Sequence, residues 1–199
     1  MQLIFPKAPA NGVHILRPAL QAALDTQGFG INPQFAKADP SKISLSEPYR
    51  GYSLTLDDLA KGQGLGKAAL GTWHYLIFAD GVAVADARLA DVGDKVEFVS
   101  LNYGKIASAS VNALALAESS SQLQGKTFEL RLLFVSALHF VAIWLHTADE
   151  DVLIPIEPTP KDVAVTRLFD EAGLLALLTP AALLAKKVID ADNSGRLGG

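Results

Sequence analysis

The sequence predicts an α+β fold: a largely antiparallel, twisted sheet with helices packed on one face and a C-terminal helical hairpin. Three observations carry that expectation. Segments at 73–88, 95–101 and 128–156 either alternate apolar with polar residues or run apolar on both faces, as strands do. Asp80-Gly81 stands between two of them, and this pair accepts the positive φ angles of a type I′ hairpin turn. Stripes of apolar residues at helical spacing lie before, between and after the strands.

Taken in order, the first helix is expected over 18–27. Proline suits its first turn, Leu20 and Leu24 share a face, and Gly28 offers a left-handed cap. A weaker strand is expected at 43–45 or 52–56. The hairpin 73–79 and 82–88 follows, then an alternating strand over 95–101. Ile106, Ser110, Leu114 and Ala117 form one stripe of a helix whose small residues suit close packing. Phe128-Glu129-Leu130-Arg131-Leu132 alternates and then turns apolar on both faces, which reads as a strand entering a core. After Ser136-Ala137 the pattern resumes, as one long bent strand or as two. Turn residues from Thr147 to Asp151 then make 138–156 a hairpin. The proline-rich stretch 155–160 marks a change from sheet to helix. Val165, Leu168, Phe169, Ala172, Leu175 and Leu178 predict a helix over 163–178, and Thr179-Pro180 predicts the start of a second over 180–189. The organisation is one domain over 1–199, with a helix and sheet core at 1–160 and the helical hairpin and tail at 161–199.

Composition narrows the function. Half of the 199 residues are apolar and 19% are charged, against about 25% in typical soluble domains. With a mean hydropathy of +0.26, apolar surface is left over for a partner or a second copy. The absence of cysteine excludes disulfides, thiolate metal sites and a cysteine nucleophile. A pI near 5.5 argues against nucleic acid as a partner, because that binding rests on cationic side chains. Residues 1–70 carry a charge of +2 and residues 71–199 carry −6, so neither part is a basic arm. The apolar stretch 132–145 is shorter than the roughly 20 residues of a spanning helix, so no membrane span is expected. Residues 1–7 lack the features of a secretory leader, which makes the cytoplasm the expected location.

Each candidate motif has a plain counterpart. The glycine-rich run from Gly62 to Lys67 lacks the P-loop pattern, since Lys61 and Ala68 occupy its flanking positions, and a surface loop is expected. No pair among His14, His74, His139 and His146 has zinc-ligand spacing, and a strand would turn His139 and His146 to opposite faces. Ser119-Ser120-Ser121 suits the end of a helix, Asp57-Asp58 the first turn of a short one, and Asp149-Glu150-Asp151 a solvated turn. The run Asp190-Ala191-Asp192-Asn193-Ser194-Gly195-Arg196-Leu197 resembles the first eight positions of an EF-hand calcium loop. It has acids at positions one and three, an oxygen-bearing side chain at five and glycine at six. The resemblance implies calcium binding by these residues. Gly199 falls at the tenth position, so the closing glutamate at twelve does not follow and the site would be weak.

The leading expectation is a non-catalytic protein-binding or self-assembly module that uses a strand edge or a helix face. No catalytic or cofactor-binding residue is assigned, no cofactor is expected, and an enzyme is not the first expectation. The alternative is a small-molecule or hydrolytic site between sheet and helices, walled by Trp73, His74, His139 or His146. Weak calcium binding by the tail is the second alternative.

Overall fold

The computed structural model describes residues 1–26, 33–160 and 162–196. In chain order its elements are β1 (Gln2–Ile4), α1 (Gly12–Thr26), α2 (Pro33–Ala36), β2 (Ile43–Leu45), β3 (Tyr49–Ser53), α3 (Leu56–Ala60), β4 (Ala69–Ala79) and β5 (Val82–Val92). They continue with β6 (Lys95–Asn102), α4 (Ile106–Ser119), β7 (Thr127–Val135), β8 (Phe140–His146), β9 (Asp151–Ile156), β10 (Phe169–Asp170) and α5 (Glu171–Arg196). The strands form one sheet in the order β10-β9-β8-β7-β3-β4-β5-β6, with β1 added to β7 and β2 to β4. Pairing is antiparallel except where β1 and β3 run parallel to β7. The fold is therefore α+β with a mostly antiparallel sheet.

The Asp80-Gly81 turn is formed as its residues require, with φ of 50° and 79°. The segment after Val135 is two strands, because Ser136–Leu138 forms a 3-10 turn and His139 closes it at a φ of +50°. The hairpin of β8 and β9 is closed by Thr147, whose N–H donates to the Glu150 carbonyl at 2.9 Å.

Helices cover both faces rather than one. α4 packs on the face that carries Tyr49, Leu76, Leu132 and Ile143. On the other face, α1 and α2 cover the β4–β6 half around Trp73, Tyr75 and Leu89. α3 and α5 cover the β7–β9 half around Leu133, Trp144 and Leu153. The reason lies in the strands: β8 is buried at six successive residues, so both of its faces need cover.

Three expected elements differ. α1 begins at Gly12, not Pro18, because Asn11 anchors its start by bonding to both the N–H and the C=O of Val96 on β6. Pro18 then lies inside the helix. The carbonyl it leaves free, that of His14, is on the exposed side where water can take it. The expected end at Gln27 and cap at Gly28 lie outside the described residues. Of the two places expected for the weaker strand, Ile43–Leu45 is β2, whereas 52–56 is divided between the end of β3 (Tyr49–Ser53) and the start of α3, which Leu56 opens behind the N-cap Thr55. The helical hairpin is a single helix. Residues 163–168 are not helical, and α5 starts after Asp170, whose carboxylate accepts the Gly173 N–H at 2.8 Å. Pro180 interrupts only one bond, to Ala176, and both residues are exposed.

Candidate functional site

Two features stand apart from ordinary core packing: a buried polar relay on the α4 face of the sheet, and the unpaired side of α5.

The relay is built on β4 and β5. Alternation along β4 turns Thr72 and His74 to the same face, and the register places Arg88 opposite His74 and Asp86 opposite Leu76. His74 and Asp86 are both fully buried. His74 Nδ1 lies 3.0 and 3.1 Å from the two Asp86 oxygens, and its Nε2 lies 3.1 Å from Thr72 Oγ1. An Nδ1–H donated to the carboxylate leaves Nε2 to accept the threonine hydroxyl. Tyr49 stacks on one side of the imidazole and Phe134 on the other, with ring centroids 5.7 and 5.5 Å away. Arg88 adds a 3.4 Å contact to Asp86 and stands over the Phe134 ring at 5.1 Å. A Cβ on Gly51 would come within 2.7 Å of His74 Nε2, so glycine is what the packed imidazole admits there. The Tyr49 hydroxyl is buried beside Ser110, and neither makes a regular hydrogen bond. Burial, and then the Asp86 charge, push that phenol well above its usual range.

The expected pocket wall does not assemble. Trp73 points to the face opposite His74, where its Nε1 donates to Asp91 at 2.8 Å and Arg50 stacks on its ring. His139 is exposed in the turn before β8. His146, at the far end of that strand, sits 2.7 Å from Asp151, which also accepts the Trp144 Nε1–H at 2.6 Å. A cleft of about 940 Å³ opens instead between the N-terminal segment, α1 and β2, with Arg17, Glu47 and Tyr75 among its walls.

The remaining motifs have structural tasks. Asp58 and Thr55 form a capping box on α3. In the acidic turn, Glu150 pairs with Lys126 at 2.6 Å and Asp151 holds Trp144 and His146. The glycine-rich loop does bind an anion, but the anion belongs to the chain: Leu65 N–H donates to the Glu171 carboxylate at 2.6 Å. Where the sequence resembles a calcium loop, the backbone from Asp190 to Arg196 continues α5 as helix. Leu197 lies outside the described residues. Among the described residues there is no group of three or more His, Asp or Glu side chains placed to hold a metal.

α5 docks by one side. Leu174, Leu178 and Ala182, spaced four apart, are buried against α3, β9 and the 3-10 turn after β7. Lys186, one turn further on, pairs with Asp57 of α3. Beside this docked stripe, Leu177, Leu183, Leu184, Val188 and Ile189 are exposed, Leu184 and Val188 at 66% and 63%. Glu171–Ala191 has a mean hydropathy of 1.7 and is long and apolar enough to cross a membrane by length and composition. Sequence reading passed over this stretch because Thr179-Pro180 resembled a break between two helices.

Compared with known proteins, the chain matches no protein-family model, no curated protein and no solved structure.

Proposed function

We propose that this protein is a self-associating module, and that the occupant of the exposed side of α5 is the same helix of a second copy. One observation supports this reading above the others. Leu177, Ala181, Leu184 and Val188 recur at intervals of four, three and four, which is the seam spacing of a two-helix coiled coil. Leucine alternates there with alanine and β-branched valine, the arrangement that suits two parallel helices. The seam flanks the docked stripe, so a second helix can reach it with Leu174, Leu178 and Ala182 still in place. Its twelve residues, from Leu177 to Val188, span about 17 Å. That strip covers less than the roughly 800 Å² per partner of a standard interface, so the association is weak, with a Kd of about 10 μM or above.

Sedimentation velocity of the full chain from about 10 μM to about 1 mM tests the reading. The expected result is a mass that rises toward the dimer with concentration, and a monomer throughout for the double variant L184E/V188E with an unchanged circular dichroism melt. A wild-type chain that stays monomeric over the whole range overturns it. So does recovery of the protein with phosphatidylcholine vesicles without any concentration-dependent mass, because α5 would then have a lipid surface as its occupant.

A further inference from the structure

The Thr72–His74–Asp86 relay has the order of a nucleophile, a base and a group that orients the base. We propose that Thr72 is a nucleophile toward small activated acyl esters, with His74 as its general base and Asp86 as the positioning residue. The geometry supplies the nucleophile, the base and the orienting group of that chemistry. The hydroxyl lies 3.1 Å from the free nitrogen of the imidazole, and the other nitrogen is held at 3.0 Å by a buried carboxylate. Stacking between Tyr49 and Phe134 fixes the plane of the ring. Thr72 is only half-buried, whereas His74 and Asp86 are sealed, so the nucleophile is the part of the relay that meets solvent.

Its position supports the reading. Between Arg50 and Tyr52 the register of β3 against β4 slips, and the extra residue falls at Gly71-Thr72. Bulges of this kind re-aim side chains. Gly51 and Gly71 meet there, where a Cβ on Gly71 would lie 3.0 Å from the Gly51 carbonyl oxygen. Arg88, the cross-strand neighbour of His74, puts a partly exposed positive charge on the same face. The 940 Å³ cleft opens elsewhere, so the threonine stands on the strand surface and not in a deep pocket.

In the first step Thr72 Oγ attacks the ester carbonyl as its proton passes to His74 Nε2. The tetrahedral oxyanion then collapses, the C–O bond to the leaving group breaks, and the activated leaving group departs as its stable oxyanion while the proton stays on Nε2 beside Asp86. The sum is ester plus the Thr72 hydroxyl giving acyl-threonine plus the leaving group, and because His74 is sealed from water the acyl-threonine persists.

The test treats the full chain with p-nitrophenyl acetate and with a fluorophosphonate ester, and maps the adduct by peptide mass spectrometry. An adduct on Thr72 that forms about 100-fold faster than any adduct on T72V is expected, with T72S retaining it and D86N slowing it without moving its position. Labelling of wild type confined to other serines, threonines or lysines overturns the proposal, as does equal ester cleavage by T72V. Because the wild-type adduct is read directly, the result does not depend on a variant folding, and neither outcome bears on association through α5.

Discussion

Glu171 Oε1 accepts the backbone N–H of Leu65 at 2.6 Å, so a residue of the glycine-rich loop fastens the first turn of a helix 106 positions later in the chain. The loop can approach this closely because Gly64 has no side chain: a Cβ there would lie 2.0 Å from the same oxygen. In G64A the carboxylate must swing away and the Leu65 N–H loses its acceptor. We expect G64A and E171A each to cost about 1–2 kcal/mol in urea unfolding. The double variant should cost no more than the larger single one, because both remove one contact. Additive losses would show that the loop and the helix are not coupled through this bond.

The pair of Asp57 and Lys186 gives the docking of α5 a pH window. Hydrogen bonding to Lys186, and then its charge, hold the Asp57 carboxyl below its ordinary value, and the same two effects of Asp57 raise the Lys186 ammonium above its own, with Asp190 adding a smaller push. For Asp57 the contribution is present above the unfolded value near about 3.9 and is lost as pH falls through the lower folded value. For Lys186 it is complete below about 10.4 and is lost as pH rises through the higher folded value. The Tm difference between wild type and D57N should therefore be flat between those limits and shrink beyond both. It should also be small and diminish with salt, as exposed pairs behave. A difference that grew on acidification would contradict the assignment.

Tyr49→Phe removes a buried hydroxyl that has no regular partner while keeping the ring that stacks on His74. The change should be neutral or should stabilise by up to about 1 kcal/mol near neutral pH. The raised phenol also predicts an alkaline effect. Above about pH 10 the unfolded tyrosine ionises while the buried one stays neutral, so wild type loses stability as pH rises and Y49F loses less. Urea melts of both proteins at neutral and alkaline pH check the two signs. A loss of about 2 kcal/mol or more in Y49F would mean that Ser110 and Tyr49 share a strong hydrogen bond in solution.

Local chemistry was legible wherever neighbours in the chain decide the outcome. The Asp80-Gly81 turn, the alternation from Lys95 to Leu101, the small-residue helix after Ile106 and the acidic first turn of α3 are all set by residues within a few positions of one another. The two prolines show the limit of that reading. Pro18 and Pro180 each suggest a helix start, yet each is carried inside a helix, because the carbonyl it frees faces water and the packing of Leu16 and Leu20, or of Leu178 and Ala182, holds the helix on either side. The relay was hidden for a different reason. Thr72 and His74 are two apart and Asp86 and Arg88 are two apart, but only the antiparallel register of β4 with β5 brings the pairs together, and only β3 and β7 supply the rings that clamp the imidazole.

By itself, then, the sequence determined the class of the fold, the strands from Trp73 to Leu101 and from Phe128 to Ile156 with their tightest turn, the absence of thiol chemistry, and a surplus of apolar side chains. Only the tertiary structure decided where that surplus goes. Helices close both faces of the sheet, and one side of α5 remains open because the helix docks on α3 and β9 through the stripe of Leu174, Leu178 and Ala182. Spacing along a helix shows which residues share a face, but which face is covered depends on what the rest of the chain brings against it.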